Sequence, residues 1–169
     1  MIKASQKITF TPPPSEVAYG VKPITLKATS SSKLLVKFSV ISGPATLKGD
    51  ELTIHGAGVV IVAANQSGSV DFDQAPQVKE TIKVTKAQLI VAASNLSMKQ
   101  GAALPTLTYA ITGFVNGDKQ KTATTGKPAL STKATSKSPA GKYPIDITVG
   151  TLKAANYSFK FADGTLTVH

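Results

Sequence analysis

Side chains that could support catalysis are few and widely spaced in this 169-residue sequence. There is no cysteine, so neither a nucleophilic thiol nor a disulfide framework is available. Histidine is the usual general base at neutral pH, and His55 is the one histidine away from the chain end. It stands at the end of a segment of alternating apolar residues, and we interpret it as a surface or turn residue.

Carboxylates offer a second possible chemistry, which is metal binding. Asp71 and Asp73 flank Phe72, so both would lie on one face of an extended strand. Asp50 and Glu51 stand together in a turn. Calcium takes about six to eight oxygen ligands, and neither pair belongs to a longer acidic loop that could supply them. We therefore predict no metal site and no cofactor.

Motifs for nucleophilic or phosphate chemistry are missing from the sequence. No Gly-x-Ser-x-Gly elbow occurs, and the second half has no internal histidine that could complete a hydrolase triad. Gly56-Ala57-Gly58 precedes an apolar strand rather than a helix, so it is typical of a turn and not of a phosphate-binding loop. The sequence predicts a protein that is not an enzyme, with a hydrolase as the least favoured alternative.

Aromatic residues bear on carbohydrate binding, which uses exposed rings as platforms. The chain has no tryptophan and four tyrosines. Tyr109, Tyr143 and Tyr157 fall on apolar alternations and are predicted core residues whose hydroxyl groups find partners. Tyr19 is the one candidate for exposure, although we favour a ring that closes the end of a sandwich. A carbohydrate-binding module stays open as an alternative.

All nineteen basic residues are lysine, against nine acidic residues, which gives a formal net charge of +10. Arginine is the usual residue for bidentate contacts with phosphates and base edges, so specific nucleic-acid binding is not expected. Scattered lysines are typical of solvated strands whose edges are guarded against aggregation. Weak, salt-sensitive attraction to polyanionic surfaces is the alternative. Lys7 is a candidate for an intramolecular isopeptide bond to an asparagine or aspartate.

Apolar residues alternate with polar ones along most of the chain, which is the period of half-buried strands. Clusters of glycine, proline and serine separate these runs. The sequence therefore predicts an all-β protein, with residues 115–123 as either one short helical turn or a loop. The clearest runs are Ile24–Ala28, Val36–Val40, Ile82–Val84, Leu89–Ala93, Leu107–Ile111, Tyr143–Val149 and Tyr157–Phe161.

Two series of strands meet near residues 85–88 without a long spacer, which predicts two tandem modules over residues 1–86 and 87–169. The longest apolar run, Val59–Ala64, has the length of a buried strand, so no membrane-spanning segment is expected. The first residues lack the apolar core of a secretory signal. Either the protein is cytosolic or the sequence is a fragment of a longer exported chain, and we favour the fragment.

The second half resembles a known bacterial domain. Its segments KAQLIVAASNLS, LPTLTYAITGFVNGD and PALSTKATSKSPAGKYPIDITVGTLKAANYSFKFADGTLTV closely resemble, over residues 88–168, the MBG domain of YGX type, a repeat of very large bacterial surface and secreted proteins. The family's Tyr-Gly-Ala is replaced here by Gln100-Gly101-Ala102. The first half resembles the bacterial immunoglobulin-like (Ig-like) repeats that accompany those domains, through VKFSVISGPATLKGDELTIHGAGVVIVAANQSGSVDFDQAP and the Tyr19-Gly20 pair.

These resemblances imply a non-catalytic structural or adhesive repeat pair, acting as a stalk spacer or adhesion surface outside the cell or on its surface. They imply an Ig-like β-sandwich over residues 1–86. Residues 87–169 would form an MBG-like module, either a sandwich or a β-grasp-like sheet with at most one short helix. Implied partners are neighbouring repeats of a longer parent chain and a glycan or cell-surface ligand, for a chain expected to be monomeric. The sequence identifies no ligand-binding residue.

Overall fold

The computed structural model describes residues 2–169, which form two compact units. The first unit ends at Lys86 and the second runs from Ala87 to His169. Both units consist of β-strands, and the described residues contain one helix, of four residues. The prediction of an all-β protein with at most one short helix is confirmed.

The first unit contains three sheets. Its strands are β1 (Ile8–Thr11), β2 (Glu16–Ala18), β3 (Ile24–Thr25), β4 (Lys27–Ser30), β5 (Lys37–Ser42), β6 (Ala45–Lys48), β7 (Glu51–Ile54), β8 (Gly58–Asn65) and β9 (Val78–Thr85). The sheet orders are β2-β9-β8-β5, β3-β7-β6 and β1-β4. The β1-β4 sheet packs against the four-stranded sheet, as the ring contact between Phe10 and Phe38 at 5.4 Å shows.

The core of the first unit follows from the pattern of apolar residues. Ile82 and Val84 are buried in β9 while Lys83 between them is exposed, as period-two alternation predicts. The apolar run Val59–Ala64 lies in β8, and its last residues are buried on both faces. A central strand covered on both sides has this composition. The run is thus a strand, as its length predicted, and it is buried or half-buried from Val60 onward, whereas Val59 is exposed.

The sequence predicted one strand over Ile24–Ala28, and this prediction is wrong, because the segment is divided between β3 and β4. Ile24 pairs with Leu52 of β7, whereas Ala28 pairs with Phe10 of β1, so the chain changes sheet between them. Leu26 is the point of change: its side chain is buried and its amide donates to the Asp50 carbonyl at 2.8 Å. Alternation reports which side chains are buried and not which sheet a strand joins.

The second unit is a sandwich of two sheets. Its strands are β10 (Ala87–Ala93), β11 (Leu96–Met98), β12 (Tyr109–Thr112), β13 (Ala129–Ser131), β14 (Gly141–Thr148), β15 (Tyr157–Ala162) and β16 (Gly164–Val168). The sheet orders are β12-β10-β15 and β11-β16-β14-β13. Val91, Ile145 and Leu166 come from both sheets and lie in one core cluster, each fully buried. Of the two predicted forms of this unit, the structure has the sandwich.

The helix α1 (Gln120–Ala123) is one turn long and contributes no buried residue. It lies within residues 115–123, where the sequence predicted a helical turn or a loop. A β-grasp-like sheet would need a helix that packs on it, and α1 does not bury a face. The alternation predicted over Tyr143–Val149 stops one residue early, because β14 ends at Thr148 and Val149 is exposed.

Candidate functional site

The first unit joins its early and final strands in a parallel ladder. Glu16, Val17 and Ala18 of β2 pair with Lys83, Val84 and Thr85 of β9, each pair separated by 67 residues of sequence. Backbone hydrogen bonds extend the ladder at both ends, because the Lys83 amide donates to Ser15 at 2.8 Å and the Tyr19 amide donates to Thr85 at 2.8 Å. The N-terminal part of the unit is thus tied alongside its C-terminal strand.

The second unit has the same arrangement with a longer ladder. Strand β10 pairs in parallel with β15 over six residue pairs, and β11 pairs in parallel with β16 over three. Each pair is separated by 70 residues, from Ala87 with Tyr157 to Met98 with Val168, so the register is kept across both sheets. The ladder continues past the strands, since the His169 amide donates to Met98 and the Gln100 amide donates to His169.

The two paired segments of this ladder pass from one sheet to the other at the same level: β10 is followed by β11, and β15 is followed by β16. At the crossing, the Thr165 amide donates to Oδ1 of Asn95 at 2.8 Å. Gly164 is required there, because a Cβ atom would come within 2.7 Å of the Ser94 carbonyl oxygen and 2.9 Å of the Ala93 carbonyl oxygen. We name the ladder of each unit its terminal clamp: residues 15–19 with 83–85 in the first unit, and residues 87–100 with 157–169 in the second.

The first unit also carries an open groove of about 1260 Å³ beside strand β4. Its lining is mainly apolar, with three lysines and one aspartate among the charged residues. Leu35 is the most exposed of the apolar residues, at 79%. The apolar lining residues with the largest side chains are Leu26, Leu34, Leu35, Val36, Phe38 and Leu47, and the charged ones are Lys27, Lys33, Lys37 and Asp50.

A buried polar network holds the end of this unit together. The Gly68 amide donates to Oε1 of Gln66, so the Gln66 atom that faces Gln6 is an acceptor, and Nε2 of Gln6 donates to it at 2.6 Å. The same Nε2 donates to the Asp73 carbonyl at 2.6 Å. Oε1 of Gln6 accepts from the Ser32 hydroxyl at 2.5 Å. Gln6 therefore joins the loop after β8 to the loop after β4.

The network continues into the groove. The Ser30 hydroxyl donates to the Leu34 carbonyl at 2.7 Å and lies 3.0 Å from the Ser32 hydroxyl. These bonds fix the backbone of the loop that carries Lys33, Leu34 and Leu35. The exposed apolar residues are therefore on a loop with a defined conformation.

The residues considered for catalysis and metal binding do not come together. His55 is exposed and its Nε2 lies 2.7 Å from the Thr46 hydroxyl, which agrees with the predicted surface or turn position. Asp71 and Asp73 are exposed and flank the bridge between Phe72 and Ala4. Within residues 2–169, no group of three histidine, aspartate or glutamate side chains could hold a metal ion.

The tyrosines lie in or near the cores. Tyr157 is buried, as predicted, and its hydroxyl donates to Oδ2 of Asp118 at 2.6 Å. Tyr19 is also buried, so the alternative of an exposed ring is wrong and the favoured prediction of a structural ring is confirmed. Tyr109 and Tyr143 are half-buried. Lys7, considered for an isopeptide bond, is exposed just before β1.

Sequence reasoning missed both the terminal clamps and the groove. Parallel pairing between residues 67 or 70 positions apart leaves no local pattern. The groove had one signal, the run Lys33-Leu34-Leu35-Val36-Lys37, in which three apolar residues follow one another between lysines. A strand of period two exposes alternate residues, so such a run in a short segment leaves a large apolar side chain in solvent.

Fold and geometry together define an all-β protein of two sandwich units, each closed by a parallel terminal clamp. Residues 89–167 match the family model described as MBG domain (YGX type). This confirms the resemblance predicted for the second half. The match begins and ends within the second unit, and its two ends lie on strands β10 and β16, which both belong to the terminal clamp of that unit.

Comparison with solved structures returned cadherin fragments. The crystal structure of Drosophila N-cadherin EC1-4 is 11% identical with a TM-score of 0.37, and the match covers 99% of this chain and 50% of that chain. For Drosophila N-cadherin EC1-3, the identity is 13%, the TM-score 0.33, and the coverage 96% and 67%. This chain thus spans half the length of the EC1-4 fragment. No curated protein matches the sequence.

The described residues contain no helix with the length and hydrophobicity of a transmembrane span.

Proposed function

We propose that this protein is a non-catalytic structural and adhesive repeat pair that carries tension along a longer chain outside the cell. In this proposal the first unit is an Ig-like repeat that precedes the MBG domain, and the partners are neighbouring repeats of the same chain. The observation that supports it is the terminal clamp, which occurs in both units although their sheets differ in order.

The physical argument concerns the direction in which hydrogen bonds are loaded. When two strands are parallel, a pull on the N-terminal side of one and the C-terminal side of the other slides them along each other. All bonds of the ladder then share the load and must break together. In an antiparallel pair pulled at one end, the bonds break one at a time. A repeat with parallel terminal strands therefore resists unfolding under tension better than one whose terminal strands are antiparallel and pulled at one end.

The clamps have further contacts that resist sliding. In the first unit, Nζ of Lys83 lies 2.8 Å from Oε2 of Glu16, and the Thr85 hydroxyl donates to the Val17 carbonyl at 3.2 Å. In the second unit, the Ser158 hydroxyl donates to the Ala87 carbonyl at 3.2 Å. Exposed ion pairs contribute little to equilibrium stability, but these side chains join the two strands that sliding would separate.

A pair of proline variants tests the proposal in the first unit. In the parallel register, the Val17 amide faces β9, whereas the Ala18 amide faces away from it. Val17→Pro removes a ladder hydrogen bond, and Ala18→Pro removes an amide on the open side of an edge strand, where proline is tolerated. We expect only Val17→Pro to lower the force at which the first unit unfolds when the chain is stretched between its ends.

Ala18→Pro is the control for Val17→Pro, because it places proline in the same strand without removing a ladder hydrogen bond. Thermal unfolding of the two variants measures their equilibrium stability, so that a general loss of stability is separated from a loss of resistance to tension. If both variants unfold at the wild-type force, the clamp does not carry the load and the proposed role is wrong for this unit.

A further inference from the structure

Strand β12 forms one edge of the three-stranded sheet of the second unit. Among the described residues its one strand partner is β10, and the Ser94 amide donates to the Thr108 carbonyl at 2.8 Å just beyond the ladder. Hydrogen-bonded and non-bonded pairs alternate along an antiparallel ladder. The register therefore turns the amides and carbonyls of Tyr109 and Ile111 away from β10.

This side of β12, which we name the β12 edge, has no backbone partner. The other side of β10 supports the assignment, because the Ala87 amide donates to the Asn156 carbonyl at 3.0 Å and so directs the odd-numbered residues of β10 towards β15. Within residues 2–169, no strand, bridge or turn bonds to the backbone of Tyr109 or Ile111 on the β12 edge. An unpaired row of this kind is a template for pairing with another chain.

The sequence around the β12 edge carries no charge. Residues 100–117 contain no charged residue, although 17% of the chain is charged. Edge strands are commonly protected by lysine. The other edges of this unit follow that rule, since Lys160 lies in β15, Lys99 directly follows β11 and Lys127 lies just before β13. The β12 edge lacks this protection.

The backbone of the β12 edge is self-complementary in one antiparallel register. When Ala110 lies opposite Ala110 of a second copy, Tyr109 lies opposite Ile111 of that copy, and both have their unpaired amides and carbonyls at the shared edge. The two alanines then occupy a non-bonded position, where Cα atoms approach to about 4.5 Å and small side chains fit. The register therefore satisfies the open backbone groups of both copies.

The side chains agree with the same register. Tyr109 and Ile111 are half-buried against the core cluster, so their pairing would cover the parts that remain in solvent. Pairs of an aromatic with a β-branched residue, and of two threonines, are favourable across strands. Thr108 lies opposite Thr112 of the second copy in this register. Residues 106–112 have no charge, proline or glycine, which is typical of segments that pair with their own kind.

We propose that this chain associates with a second copy of itself through the β12 edge, which joins the two three-stranded sheets into one. Charge favours this occupant: a chain of net charge +10 is repelled by its copy where lysines meet, and residues 100–117 carry none. Because both copies use the same edge, association stops at a dimer. The contact is one short strand, so the dimer is weak and the monomer predicted from the sequence prevails in dilute solution.

Disulfide crosslinking tests the register, because the chain has no cysteine of its own. Ala110→Cys places the thiols of two copies at the closest pair, where the Cα separation suits a disulfide. Thr108→Cys is the matched control, since Thr108 is exposed on the same strand but lies more than about 13 Å from its counterpart in this register. Under mild oxidation of the whole chain, we expect Ala110→Cys to form a linked dimer at least about tenfold faster.

Sedimentation equilibrium from low micromolar to millimolar concentration tests the association itself. Ala110→Lys brings two lysines opposite each other and should weaken dimerisation at least about tenfold. Ala162→Lys is the matched control, because it adds the same charge at an exposed alanine of β15 in the same sheet. The wild type and Ala162→Lys should both approach the dimer mass at high concentration. Both alanines are exposed, so the variants leave the core intact, and melting temperatures check this.

The proposal is overturned if the wild type sediments as a monomer at every concentration, or if Ala110→Lys dimerises as the wild type does. Crosslinking of Thr108→Cys as fast as Ala110→Cys would contradict the register. Species larger than a dimer would contradict an association that uses the same edge on both copies. None of these results bears on the response of the chain to tension, so the two proposals fail separately.

Discussion

Replacing Gln6 tests the buried network that closes the first unit. Gln6 is 8% exposed and uses both ends of its amide: Nε2 donates to Gln66 and to the Asp73 carbonyl, and Oε1 accepts from Ser32. Gln6→Leu keeps the approximate size of the side chain and removes all three bonds. The change therefore isolates hydrogen bonding from packing.

The expected cost follows from these bonds. Each hydrogen bond is worth about 1 kcal/mol net, so three bonds contribute about 3 kcal/mol. Leucine recovers about 1 kcal/mol through burial of its extra apolar surface. We therefore expect Gln6→Leu to lower the free energy of unfolding of the first unit by about 2 kcal/mol. The Ser32 hydroxyl can still bond to the Ser30 hydroxyl, 3.0 Å away, which would reduce this loss of stability.

The variant Gln6→Glu adds a dependence on pH. At neutral pH a carboxylate would face the Gln66 oxygen and the Asp73 carbonyl, which are both acceptors, at a cost of roughly 3 to 5 kcal/mol. Burial and these acceptors raise the pKa of the introduced carboxyl group in the folded state. A raised pKa means that the folded state holds the proton more tightly, so the variant regains stability as the pH falls towards about 4.

Urea unfolding followed by two-dimensional amide NMR measures these effects, because the signals of the second unit serve as an internal reference. Signals of the first unit should lose their native position at lower urea in both variants, and those of the second unit should not move. A loss below about 0.5 kcal/mol for Gln6→Leu, or a Gln6→Glu variant whose deficit is the same at pH 4 and pH 7, would refute this account of the network.

Three other substitutions have defined outcomes. Tyr157→Phe removes the bond to Asp118 and leaves the Val115 amide without its hydroxyl acceptor, so the second unit should lose about 2 to 3 kcal/mol in urea unfolding; a neutral result would contradict it. Gly126→Ala places a Cβ 2.1 Å from the Thr151 carbonyl oxygen, whereas Gly101→Ala meets nothing within 4 Å at a similar positive φ. The first should cost about 1 to 3 kcal/mol more than the second, and equal melting temperatures would show that the clash is relieved. Lys83→Met should change equilibrium stability by less than about 1 kcal/mol, because its ion pair is exposed; a larger loss by calorimetry would disprove this.

The sequence predicted the strands well because each strand carries its own pattern. Ile82, Val84, Ile145 and Ile147 alternate with polar residues and are buried as expected. The resemblance to the MBG domain over residues 88–168 was visible for a related reason, since a family pattern is also read along the chain.

Pairing between strands could not be predicted in the same way. The parallel partners in the clamps are 67 and 70 residues apart, and both partners look like ordinary half-buried strands. The change of sheet at Leu26 was hidden because the apolar alternation continues through it. The groove depends on Leu35, whose exposure is decided by a loop that the Ser30 and Ser32 hydroxyls hold.

The direction of pulling distinguishes the clamp from the rest of the second unit. Because the chain has no cysteine, single thiols can be introduced as handles at chosen positions. A handle at Lys86 and one at His169 load the clamp by sliding. A handle at Ala140 and one at His169 pull the adjacent ends of β14 and β16, since Gly141 pairs with Val168, and open that antiparallel pair bond by bond.

Single-molecule force spectroscopy with these two handle pairs is the most direct measurement of the central claim. At one loading rate, the unit should unfold at a clearly higher force when pulled between Lys86 and His169, with a single release of up to roughly 300 Å of chain at about 3.6 Å per residue. Pulling between Ala140 and His169 should give a lower force. Equal forces in the two directions, or a lower force between Lys86 and His169, would contradict the claim that the terminal clamp resists tension.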